Sequence, residues 1–169
     1  MGSSSKKLHF TLLLGVVFMA TLFSVEGAVI DPFNHGDQAI VQLGVISPLP
    51  RSCAFSETAT LVKMEVTSCT SQPCLMNVSN TYEMSPTFIP GYSSNTTQYQ
   101  LRFYYESKLY IFALISLTDS FIAGSQYKIL RQIVIPSELG GKSGYFRVVL
   151  FDLSGRYHVS RCFDAMVGN

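Results

Sequence analysis

Four cysteines, Cys53, Cys69, Cys74 and Cys162, are the residues of this chain whose type and spacing best support covalent chemistry. An even number in an oxidising compartment predicts two disulfides, with three possible connectivities. Cys69 and Cys74 bracket Thr-Ser-Gln-Pro, which can turn back on itself, so their spacing favours a local bridge. A zinc site is the rival interpretation, and it is weak because the chain has no Cys-x₂-Cys pair.

The chain has few residues suited to acid–base or nucleophilic catalysis. Beyond residue 27 the only histidines are His35 and His158, and we interpret His158 as a structural or surface residue. The chain contains no Gly-x-Ser-x-Gly, no His-Glu-x-x-His and no glycine loop for phosphate. We therefore predict a protein that is not an enzyme, with no catalytic residues, no cofactor and no metal.

The N-terminal 27 residues have the pattern of a secretory signal. Lys6 and Lys7 precede an apolar stretch, Leu8–Val25, that ends in the small-residue site Val25-Glu26-Gly27. The alternative is a membrane anchor, because 18 residues just reach spanning length. A signal peptide predicts a secreted or lysosomal-lumen protein, in which the sequons at Asn77 and Asn95 are candidate glycosylation sites.

The composition and net charge of the chain limit the classes of partner that it is expected to bind. Without residues 1–27 the chain has ten basic and ten acidic residues, because Lys6, Lys7 and Glu26 leave with them. A neutral chain lacks the basic footprint of a nucleic-acid-binding protein, and 47% hydrophobic residues argue against disorder. The length predicts one domain, which we expect to be a monomer over residues 53–169. We expect residues 28–52 to form an irregular lead-in with one short strand at Ala39–Val45.

Apolar residues after Cys53 alternate with a period of two, which is typical of strands with one buried face. Turn signals divide this region into about seven strands, predicted at Leu61–Thr67, Thr81–Phe88, Tyr99–Glu106, Leu109–Leu117, Tyr127–Ile135, Tyr145–Asp152 and Tyr157–Val167. Several short strands favour an all-β sandwich or barrel over a helical bundle. Leu109–Leu117 is nearly all apolar, so we expect it to be covered on both faces or to line an interior space.

The segment Cys69-Thr-Ser-Gln-Pro-Cys74-Leu, preceded by Val62-Lys-Met-Glu-Val66, resembles the signature of the ML lipid-recognition domains. Residues 126–138 are similar to a late strand of the Niemann-Pick type C sterol carriers in that family, and residues 144–162 resemble its ganglioside activators. The resemblance covers about residues 53–169. It implies an immunoglobulin-like β-sandwich with an apolar cavity between the sheets, and the disulfides Cys53–Cys162 and Cys69–Cys74. Many members have a third disulfide, for which this chain has no cysteines.

The resemblance implies a lipid-binding and transfer protein that holds a sterol, fatty acyl or glycolipid chain and makes transient contact with a membrane or receptor. It places Phe112, Ile135 and Leu139 at ligand-contacting positions. Further lining residues are expected on the strands nearby, namely Tyr82, Met84, Phe88, Leu101, Phe103 and Tyr127. The alternative is a secreted immunoglobulin-like recognition module with a solid core that acts through its surface. Composition alone does not choose between the two.

Overall fold

The computed structural model describes residues 28–30, 43–54 and 56–169. The predicted signal peptide lies outside these residues. The strands of the described chain are β1 Ala28–Ile30, β2 Leu43–Val45, β3 Arg51–Ser52, β4 Thr60–Thr67, β5 Cys74–Asn77, β6 Thr81–Ile89, β7 Thr97–Tyr105, β8 Lys108–Leu117, β9 Tyr127–Ile129, β10 Arg131–Val134, β11 Ser143–Asp152 and β12 Tyr157–Gly168. A single 3₁₀ turn, Ser137–Leu139, interrupts the described strands.

These strands form two six-stranded sheets that pack face to face, which confirms the predicted all-β, immunoglobulin-like sandwich. Sheet A has the order β1-β9-β6-β4-β2, and β10 also pairs with β6. Sheet B has the order β3-β12-β11-β7-β8, and β5 also pairs with β12. Most neighbours are antiparallel, while β1 with β9 and β5 with β12 are parallel.

Residues 28–52 contribute more to the sheets than the sequence predicts. Their described part contains the short strands β1, β2 and β3, which pair with β9, β4 and β12, whereas the sequence predicts one short strand there. Of the strand expected at Ala39–Val45, only Leu43–Val45 falls within the described residues. The predicted strand Tyr127–Ile135 is divided at Leu130 into β9 and β10. The short strand β5 is absent from the prediction.

A β-bulge between Leu61 and Lys63 changes the faces of β4. The alternation pattern assigns Val62 to the same face as Met64 and Val66, with Leu61 on the other. In the structure Leu61 is buried with Met64 and Val66, while Val62 is 41% exposed. The extra residue of the bulge shifts the register by one and thereby exchanges the two side chains.

Strand β8 lies at an edge of sheet B and pairs only with β7. The expectation that it is covered on both faces is therefore wrong, because Leu109, Ile111 and Leu114 are exposed on its outer side. A bulge leaves Phe112 without a partner, since Ala113 pairs with Leu101 and Ile111 pairs with Arg102. Tyr110, Phe112 and Ala113 pack against the core but remain only partly buried.

The structure contains the two disulfides predicted with the resemblance. Cys53–Cys162 joins the segment after β3 to the middle of β12, and its Cα atoms are 5.9 Å apart. Cys69–Cys74 closes the loop between β4 and β5, with Cα atoms 5.3 Å apart. Because β4 belongs to sheet A and β5 to sheet B, the local disulfide crosslinks the two sheets.

Candidate functional site

The candidate site is the apolar interior between the sheets. Strand β6 contributes Tyr82, Met84 and Phe88 from sheet A, and these residues are buried because alternate side chains of a strand point to one face. Strand β7 contributes Leu101 and Phe103 from sheet B in the same way. Eight of the nine predicted lining residues belong to the buried core, and the ninth, Phe112, packs against it.

Two of these residues, Phe88 and Tyr127, lie at one end of the interior. Their ring centroids are 6.2 Å apart, and Phe121 contacts both, at 5.4 Å from Phe88 and 4.8 Å from Tyr127. The Tyr127 hydroxyl accepts a hydrogen bond from the Ile122 backbone N–H at 2.9 Å. This end is therefore closed by packed aromatic rings and a backbone hydrogen bond.

Ile135 and Leu139 lie at the other end, where β10 leads into the 3₁₀ turn. The Ile135 N–H donates to the Asn80 carbonyl at 3.1 Å, and its carbonyl accepts from the Ser79 N–H at 2.7 Å. Both side chains are fully buried. The hydrogen bonds fix the direction of the backbone, so these apolar side chains point inward beside the start of β11.

Phe112 connects the exposed edge of sheet B with the interior. Its ring centroid lies 4.9 Å from that of Tyr110 and 5.4 Å from that of Phe146. Phe146 in turn contacts Phe103 at 4.8 Å and Phe163 at 5.3 Å. A continuous row of aromatic rings therefore leads from the partly exposed side of β8 into the core.

A surface pocket of about 380 Å³ lies at the β7–β8 hairpin, beside the start of β11. None of the nine predicted residues lines it. Tyr105 does, and its ring also stacks on Phe103 at 5.6 Å. Tyr105 therefore separates this pocket from the interior.

Arg131 is a charged residue of the interior that the sequence prediction missed. It is only 4% exposed, and its guanidinium carbon lies 5.6 Å from the centroid of the Tyr99 ring. Burial raises the pKa of the Tyr99 hydroxyl while the Arg131 charge opposes that rise, so Tyr99 is neutral at physiological pH. The signal was present in the sequence, because period-two alternation puts Arg131 on the same face as Ile129 and Ile133.

Of the two interpretations of His158 from the sequence, a structural or a surface residue, the structure favours the structural one. Its ring is fully buried, stacks on Tyr92 at 4.0 Å and meets Phe121 edge-on at 5.8 Å. Neither ring nitrogen has a hydrogen-bond partner in the described part of the chain. Burial lowers the pKa of His158, and nearby Arg156 lowers it further while Asp152 opposes the shift. The ring is therefore neutral at physiological pH.

Other functional features are sparse. Among residues 43–54 and 56–169 no three His, Cys, Asp or Glu side chains are grouped so that they could hold a metal. No helix in the described residues is long and apolar enough to cross a bilayer. The sequon residues Asn77 and Asn95 are both exposed.

Comparison with a solved insect structure supports the fold. A Niemann-Pick type C2 protein from Japanese carpenter ant superposes with a TM-score of 0.60 over 70% of this chain and 98% of its own, at 10% identity. The CARDB domain of a Pyrococcus furiosus protein matches with a TM-score of 0.37 over 66% of this chain and 97% of its own, at 17% identity. No protein-family model and no curated protein matches the sequence. At 10% identity the likeness to the carpenter ant protein concerns the fold alone, and the match at a TM-score of 0.37 carries no argument.

Proposed function

We propose that this protein is an ML-type carrier that binds a lipid between its two sheets, in the extracellular fluid or the lysosomal lumen. One observation carries the proposal: the inward-facing side of edge strand β8 is apolar, only partly buried, and continuous with the core through Phe112 and Phe146. The fold shared with the carpenter ant protein supports it. Lipid binding and transfer are non-covalent, so the proposal involves no enzymatic step.

The lipid would enter by parting the sheets along β8. The local disulfide joins the sheets near β4 and β5, whereas β8 lies at the opposite edge of sheet B and has a free outer side. Met64 and Met84 are fully buried in the interior, and methionine side chains repack readily around an irregular guest. Burial of apolar surface at about 25 cal/mol per Å² then stabilises the complex without any charge contact.

The alternative function is that of a recognition module with a solid core. One observation favours it: the eight buried lining residues are each at most 8% exposed, as they would be in a core that never opens.

The carrier proposal includes a sterol, a fatty acid and a glycolipid chain as ligands. A membrane or a receptor would then accept the lipid from the carrier.

Displacement of a fluorescent fatty acid or sterol probe tests the proposal with two matched variants on one strand. Phe112→Ala removes an inward-facing ring that contacts Phe146, while Leu114→Ala truncates an exposed residue on the outer side. Phe112→Ala should weaken probe binding at least several-fold, and Leu114→Ala should leave it unchanged. Equal binding by both variants and the parent, or no binding by the parent, would contradict the proposal.

A further inference from the structure

The outer face of sheet B carries two arginines directly opposite each other on neighbouring strands. Arg102 of β7 pairs in register with Arg147 of β11. Like charges in such a cross-strand pair are destabilising. Arg51 of β3 lies on the same face, because its register partner Cys162 also pairs with Arg147, and it has a carboxylate partner in Asp164. No ion pair in the described residues includes Arg102 or Arg147.

Both arginines line a pocket of about 170 Å³, and they share it with Gln100, Val149, Phe151, Gly155 and Tyr157. Hydrogen bonds hold the side chains in place. Arg102 donates to the Gln100 side-chain oxygen and, at 3.4 Å, to the Tyr104 hydroxyl. Its Nε is buried without a hydrogen-bond partner among the described residues. The hydrogen bonds therefore preorganise the Arg102 side of the pocket.

Arg147 is positioned by two further contacts. Its Nε donates to the Ser160 hydroxyl at 3.1 Å, and its guanidinium carbon lies 5.9 Å from the centroid of the Tyr157 ring. The effect of both cations is visible at Tyr104: burial alone would raise the pKa of its hydroxyl, but Arg102 and Arg147 together lower it. The two positive charges therefore act on the same small region.

We propose that this pocket binds a phosphate-monoester-type oxyanion. Two guanidinium groups offset the two charges of such a group, and their planar arrays of donors suit bidentate contacts with its oxygens. A bound dianion would also remove the repulsion between Arg102 and Arg147. The volume suits a headgroup-sized ligand. The site lies on the face turned away from the lipid interior, so it is independent of the proposed carrier function.

Titration of the full secreted chain with inorganic phosphate, at constant ionic strength and pH 7.5, tests the site by backbone amide NMR. The parent should show saturable shifts at residues 100–104 and 147–157. Arg102→Gln and Arg147→Gln should each raise the dissociation constant at least ten-fold. Arg51→Gln is the matched control, because Arg51 lies on the same side but has its own carboxylate partner. Shifts that do not saturate, or an equal rise of the dissociation constant in Arg51→Gln, would overturn the proposal. Either result would mean that phosphate only screens the surface charge and does not bind at a site.

Vesicles identify the source of the anion. Phosphatidic acid presents a phosphate monoester, whereas phosphatidylcholine does not. Co-sedimentation with vesicles that contain phosphatidic acid, lost in Arg147→Gln and competed by inorganic phosphate, would assign the site to a lipid headgroup. Saturable phosphate binding without co-sedimentation would assign it to a free phosphate monoester. Absence of both in the parent would overturn the proposal.

Discussion

Cys69 and Cys74 have Cα atoms 5.3 Å apart although they flank strands of different sheets. Cys69 follows β4 of sheet A, and Cys74 begins β5 of sheet B. Strand β5 pairs with β12, whereas β8 lies at the far edge of sheet B. The two sheets are therefore joined by a disulfide near one edge, whereas no disulfide of the described residues joins them near β8. The proposed entry of a lipid along β8 rests on this asymmetry.

The two disulfides should differ in their contribution to stability. Replacing Cys53 and Cys162 by alanine removes a crosslink with a sequence separation of 109, so the free energy of unfolding should fall by about 4–5 kcal/mol. Replacing Cys69 and Cys74 removes one with a separation of 5, for which the same chain-entropy model gives about 2 kcal/mol. Urea unfolding of both double variants measures the difference. A larger loss from the local pair would show that chain entropy does not govern their contributions.

Ile135→Trp should block the lipid while the protein still folds. Insertion of extra volume into a packed core costs about 1–3 kcal/mol, and the filled interior would then have no room for a guest. Val134→Trp is the control, because Val134 is the preceding residue and is exposed. Leu139→Trp should behave like Ile135→Trp. Circular dichroism measures whether the variants fold, and displacement of a lipid probe measures whether they bind lipid. If Ile135→Trp and Leu139→Trp fold and bind the probe as well as the parent, this end of the interior is not the lipid site.

Tyr99→Phe should leave the free energy of unfolding unchanged or raise it. The Tyr99 hydroxyl is buried without a hydrogen-bond partner in the described residues, and such a group carries a desolvation cost. Tyr82→Phe is the matched comparison, because the Tyr82 hydroxyl accepts from the Asn77 backbone N–H at 2.7 Å. Its loss should cost about 1 kcal/mol. A larger cost at Tyr99 than at Tyr82 would show that the Tyr99 hydroxyl has a partner in the native protein.

The fold follows from local patterns, and the corrections come from long-range pairing. Alternation identified the strands from Leu61 onward, but no local signal distinguishes an edge strand such as β8 from a central one, because position in a sheet depends on distant partners. The bulges in β4 and β8 also depend on the pairing with distant strands. They put Leu61 instead of Val62 on the inner face and leave Phe112 without a register partner. Strand β5 has only four residues, too few for a periodic signal.

The interior position of the six predicted residues on β6, β7 and β9 could be anticipated because strand faces are periodic. Phe112, Ile135 and Leu139 were placed by the family resemblance instead, since none of them lies at a regular strand position in the structure. Whether they contact a lipid is a different property, since core residues and cavity residues have the same pattern. Arg131 was not predicted, although its alternation with Ile129 and Ile133 indicates the inner face.

Stability should fall as the pH falls below about 6.5, in part because of His158. Burial holds the pKa of His158 below its ordinary value of 6.5, so the unfolded chain binds a proton in this range that the native state does not. The charged neighbours Arg156 and Asp152 act in opposite directions on this pKa. His158→Phe should show a smaller decrease in the urea midpoint between pH 7.5 and 5.5. Equal decreases would contradict a buried neutral His158.

Native mass spectrometry of the purified protein, before and after extraction with organic solvent, tests lipid binding most directly. The carrier account predicts an additional mass of a few hundred daltons per chain that disappears on extraction and is recovered in the organic phase as a sterol, a fatty acid or another lipid. The extracted chain should then take up one such lipid. A clean protein mass from the start, together with no uptake of sterol, fatty acid or phospholipid, would contradict the account and favour the recognition module with a solid core.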